Sequence, residues 1–190
     1  MKNFFKVMLI AFVTLTSCSS DDEPTPEVEV PEEVITNIDI ALVSDTETLI
    51  LSYVDIDGIG FGETGITTEG TLKANTTYKG AFTITNVLAD EEEERNVTAE
   101  ISELDDDHQF FFIATNGDLD ITITYDDLDD NGNPVGLFFT LTTGAISSGD
   151  FNVILRHEPN KTAEGVFEGD IANEDQGESD FDIIFPLLIE

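Results

Sequence analysis

The sequence predicts an all-β protein, an antiparallel β-sandwich or an eight-stranded meander barrel with one short acidic helix. Three observations carry that prediction. Apolar residues alternate with polar ones over several short segments, which is the period of a half-buried strand. Clusters of Gly, Asn and Asp bound those segments, as antiparallel connections require. Only one stretch has helical spacing, too little for a doubly wound α/β fold.

The alternation begins after Val34 with Ile38, Ile40 and Leu42, and continues with Leu49, Leu51 and Tyr53, then Tyr78, Phe82 and Ile84. It is cleanest at Leu119, Ile121, Ile123 and Tyr125. Apolar stretches at 108–115, 136–142, 150–158 and 179–189 complete a set of eight strands. Asn116-Gly117 predicts a hairpin between two of them, because both residues tolerate the positive φ of a type I′ turn. Asp90 as N-cap with Glu93 three positions on, followed by Val97, Ile101 and Leu104, predicts a helix over 91–106.

The N-terminus reads as an address. Lys2 and Lys6 precede a short apolar run, Val7 to Leu15, and Leu15-Thr16-Ser17-Cys18 then fits a bacterial lipobox, the three regions of an export signal in order. Residues 1–17 are expected to be removed and Cys18 to be acylated, placing the chain on the outer membrane, at the cell surface. Several acyl chains on one cysteine anchor essentially permanently. Residues 18–33 are Glu-rich and hold Pro24, Pro26 and Pro31, a composition that extends a chain, so this segment reads as a tether. Residues 34–190 remain as a single domain.

Seven Lys and Arg stand against 41 Asp and Glu, a formal net charge of −34. Nucleic acid is excluded as a partner, because phosphate binding needs clustered cations. The one cysteine is the lipid acceptor, which leaves no disulfide and no thiolate chemistry. No Gly-x-Ser-x-Gly elbow, His-Glu-x-x-His helix or phosphate-cradling loop is present, so the chain reads as a binding protein and not an enzyme.

The candidate site rests on two histidines. His108 begins the run His108-Gln109-Phe110-Phe111-Phe112 and His157 ends the run from Phe151, so strand alternation puts each at the end of an apolar stripe. If the strands alternate up and down, both histidines reach one end of the fold, where the helix also stops with Asp105, Asp106 and Asp107. Carboxylates there face the negative end of the helix dipole and call for a cation or a basic side chain. Two imidazoles with carboxylates suit zinc or another divalent first-row ion. Haem iron held by two histidines is the alternative cofactor. The turn containing Asp126, Asp127, Asp129, Asp130 and Asn131 offers hard oxygens for calcium but lacks the ordered spacing of a calcium loop.

The segments His108-Gln109-Phe110-Phe111-Phe112, Asn131-Gly132-Asn133-Pro134 and Leu155-Arg156-His157-Glu158-Pro159-Asn160-Lys161 resemble a family of small uncharacterised Bacteroidota lipoproteins, and the Ser19-Ser20-Asp21-Asp22-Glu23 run resembles their surface-export signal. Members are sometimes labelled type 1 periplasmic binding fold proteins, which implies a two-lobed α/β solute binder. The chain departs from that fold in length and in lacking alternating strands and helices. The resemblance thus implies a ligand-binding surface lipoprotein, with an outer-membrane TonB-dependent receptor as its expected partner. A structural or protein-interaction module with a solvated acidic surface is the competing class.

Overall fold

The structure, a computed structural model, describes residues 34–56, 64–91 and 94–190. The leader, Cys18, the tether and Glu93 lie outside these. Among the described residues nine strands form two antiparallel sheets. They are β1 (Asn37–Val43), β2 (Thr48–Asp55), β3 (Thr64–Glu69), β4 (Thr77–Thr85), β5 (His108–Thr115), β6 (Ile121–Tyr125), β7 (Phe138–Thr143), β8 (Ser147–His157) and β9 (Glu178–Ile189). The larger sheet runs β3-β2-β1-β4-β7-β6 and the smaller β5-β8-β9. This is a sandwich and not a closed barrel: β5 and β6 both remain edges, each in its own sheet.

The inward residues are those that alternation selects. Ile38, Ile40 and Leu42 of β1 face Phe151, Val153 and Leu155 of β8 within one continuous core, and all are buried. An aromatic layer joins the sheets, with Phe82 stacked on Phe110 at 4.2 Å between centroids and Phe112 tilted against Phe139 at 4.5 Å. Gly80 pairs with Phe139 across β4 and β7, and the Phe139 ring lies over it where a Cβ would stand. Gly80→Ala should therefore cost about 1–3 kcal/mol by overpacking, read as a lower urea midpoint with an unchanged slope.

Three expectations need correction. The ninth strand, β3, has a single large apolar residue, Ile66, and escapes an alternation test. Asn116 and Gly117 do take positive φ, 46° and 150°, but they carry the chain from one sheet to the other. Beyond them β5 pairs with β8 and β6 with β7. The turn packs on β8, where a Cβ at Gly117 would strike the Ser148 carbonyl, so no hairpin closes.

The helix is the third. It spans only Val97–Glu103 (α1), with Asn96 and not Asp90 as N-cap; the Asn96 side chain accepts from the Ala99 N–H at 3.2 Å. Helices in proteins persist where an apolar face packs, and the first buried position is Val97, followed by Ile101 one turn on. Thr98 fixes the docking, accepting from the Ile84 N–H at 2.6 Å and donating to the Ile84 carbonyl. Asp105–Asp107 form a separate 3-10 turn leading into β5.

The segment 158–177 folds back over the outer face of the smaller sheet. Val166 packs there on Phe111 and Ile154, and the Gln109 side chain donates to the Val166 carbonyl at 2.9 Å. That cover buries β5 on both faces. Glu174 anchors the segment: it meets Arg156 at 2.7 Å and accepts from the backbone N–H groups of Asn160, Gln176 and Gly177. Burial pushes the Glu174 carboxyl up, but these donors outweigh it and hold it below the usual range.

Candidate metal centre

His108 and His157 meet, and for a simpler reason than strand counting. They are direct partners in the β5–β8 ladder, with rings stacked at 4.9 Å and 19° between planes. Both share the inward face with Phe110 and Leu155, at the end of the core beneath α1. His108 is fully buried. Its Nδ1 lies 2.8 Å from the Leu104 carbonyl at the end of α1. A carbonyl can only accept, so Nδ1 carries the proton, and in the neutral ring Nε2 is the ligating nitrogen, the orientation that metal-ligating histidines receive from a carbonyl behind the ring.

The third member is Asp180, which the sequence reading missed. Leu155 pairs with Phe181 but Arg156 pairs with Ser179, so Asp180 is the extra residue of a β-bulge in β9. In a regular strand it would face away from the inward Phe181; the bulge re-aims it. Its side chain is 3% exposed and its Oδ2 stands 4.0 Å from His108 Nε2. One donor atom each from His108, His157 and Asp180 lie within 4.8 Å of one another. Tetrahedral zinc at about 2.0–2.2 Å from each ligand needs donors roughly 3.3 Å apart, so an entering ion would draw the three strand ends together.

The aspartates after the helix are not members of this cluster. Asp105, Asp106 and Asp107 sit in the 3-10 turn, and the basic side chain that reaches this end of the helix is Lys161. Its Nζ donates to the Asp105 carbonyl at 2.5 Å and to Asp129 Oδ2 at 3.0 Å. Burial, then the neighbouring charges of Asp106, Asp130 and Asp129, push the Asp105 carboxyl up. Asp106 accepts from the Asn131 side chain at 2.8 Å.

Three carboxylates of the 126–131 turn already have hydrogen-bond partners within the fold. Asp126 accepts from Lys79 and Thr140, Asp127 from the N–H groups of Gly136 and Phe138, and Asp129 from those of Asn131 and Asn133. Asp130 joins no cluster of three His, Cys, Asp or Glu groups among the described residues. Haem does not fit the histidine pair. Axial ligands approach iron from opposite sides of the porphyrin, whereas these rings lie side by side on neighbouring strands.

Comparison with family models, with curated proteins and with solved structures finds no match to this chain.

Proposed function

We propose that this chain is a lipid-anchored protein of the outer membrane, displayed at the cell surface, whose sandwich binds a divalent first-row ion through His108, His157 and Asp180 and carries out no catalysis. The observation that supports the reading best is the hydrogen bond from His108 Nδ1–H to the Leu104 carbonyl, which holds Nε2 toward the other two donors. Zinc suits two imidazoles and a carboxylate in tetrahedral geometry, and copper or nickel share the preference for imidazole. Partnership with a TonB-dependent receptor follows from the lipoprotein resemblance alone; co-purification from outer membranes tests it.

Thermal melts of protein purified without a His-tag test the metal. Zinc at a hundredfold excess over its Kd should add about 2.7 kcal/mol of stability. Calcium should add none, and the zinc effect should fade below about pH 6, because a ligating histidine must be neutral. His108→Ala with His157→Ala should abolish it, and Asp180→Asn, which keeps the volume, should weaken it. Equal stabilisation in all variants, or none in the wild type, would overturn the site. The charge of −34 and the open spacing of the donors would then favour the interaction module.

Cys18 supports the address. Cys18→Ala should shift the protein from the detergent-soluble membrane fraction to the soluble fraction; an acylated or membrane-retained variant would refute the lipobox reading.

A further inference from the structure

We infer that the bound ion keeps one coordination position open beside His157 and that this position takes a small neutral nitrogen base, such as imidazole, in preference to an anion. The inference rests on the metal-site reading above. Among the described residues the chain offers three donors, His108, His157 and Asp180, while a zinc-like ion takes four; sites with three protein ligands leave the fourth position to water or a substrate.

Burial says where that position opens. His108 is fully buried and the Asp180 side chain is 3% exposed, but His157 is only half-buried, so solvent reaches the cluster on the His157 side. Charge says what enters there. His157 pairs across the ladder with Glu178, and the next residue, Glu158, donates its N–H to the Asp107 carbonyl. Glu158, Glu178 and Asp107 are all exposed and adjoin His157 through the backbone, on a chain of charge −34. The ion itself attracts an anion, but these carboxylates and Asp180 offset that attraction, whereas a neutral lone-pair donor loses nothing to them.

Cobalt(II) in place of zinc makes the position visible, since its absorption bands respond to coordination number and ligand. With the full-length protein in detergent at pH 8, imidazole should shift the cobalt spectrum saturably, and azide should require roughly tenfold higher concentration, the order expected of nearby carboxylates at moderate ionic strength. Glu158→Gln with Glu178→Gln, both exposed, should lower the azide requirement severalfold and leave the imidazole titration in place. Cobalt that binds but ignores imidazole would overturn the inference alone, because the chain then fills the fourth position. Azide acting as readily as imidazole in the wild type would overturn the preference for neutral bases. Cobalt that fails to bind would overturn the metal-site reading and this inference with it.

Discussion

Lys161→Met should lower the unfolding free energy by about 3–5 kcal/mol, the cost of leaving a buried charge without its partner. The Lys161 side chain is 5% exposed and that of Asp129 1%. Their contact ties the 158–177 segment to the turn between β6 and β7 and to the end of α1 through the Asp105 carbonyl. Asp129 would keep the N–H groups of Asn131 and Asn133 but lose its countercharge. Lys161→Met with Asp129→Leu should recover most of the loss, since apolar replacement of a whole buried pair is often neutral.

Acid should discriminate between the two proteins. Burial pushes the Asp129 carboxyl up, but the Asn133 N–H groups and the Lys161 ammonium outweigh it and hold it below the ordinary value. Its stabilisation in the wild type is therefore complete above the unfolded value of about 3.9 and is lost as pH falls through the lower folded value. Without the ammonium the folded carboxyl titrates higher, and the penalty shrinks as it protonates. Urea midpoints of wild type and Lys161→Met should thus converge between pH 7 and about pH 4; parallel curves would show that the ion pair does not carry the effect.

Phe110→Ala should cost about 3–5 kcal/mol, the range for deleting a buried aromatic. Phe110 is fully buried between the sheets, stacked on Phe82 at 4.2 Å and near Phe181 at 6.0 Å. No polar partner of its side chain complicates the change, because the nearby hydrogen bonds, from Tyr125 to the Phe110 carbonyl and from the Phe110 N–H to Val135, are made by the backbone. Phe110→Leu should lose less, as it keeps more of the volume. A loss under about 1 kcal/mol for the alanine variant would mean that the two sheets close over the cavity.

The parts legible in the sequence are those that depend on side-chain parity. Period-two alternation marks four of the nine strands and bounded apolar stretches mark four more, and strand parity puts His108 and His157 on the inward face because Phe110 and Leu155 are there. The missing strand, β3, is written in Thr and Gly, residues whose pairing depends on the neighbouring β2 and not on burial. An acidic run looks like a helical first turn, but the buried face of the helix begins only at Val97.

Asp180 was out of reach for a sharper reason. Parity from Phe181, Ile183 and Phe185 assigns Asp180 to the outer face, and only the register shift opposite Leu155 and Arg156 reverses it. A bulge adds a residue without changing the local pattern, so sequence alternation cannot reveal it. Conversely, the three aspartates after α1 suggest a cation site by composition, and the charge that reaches them is Lys161, 56 residues beyond Asp105, which donates to the Asp105 carbonyl and pairs with Asp129.

Anomalous diffraction from crystals soaked in zinc, collected on both sides of the zinc absorption edge, tests the central claim most directly. The account predicts one strong peak bounded by His108 Nε2, the His157 ring and the Asp180 carboxylate, with each donor drawn in to about 2.0–2.2 Å. Peaks confined to the exposed carboxylates, with the three strand ends unmoved, would contradict it.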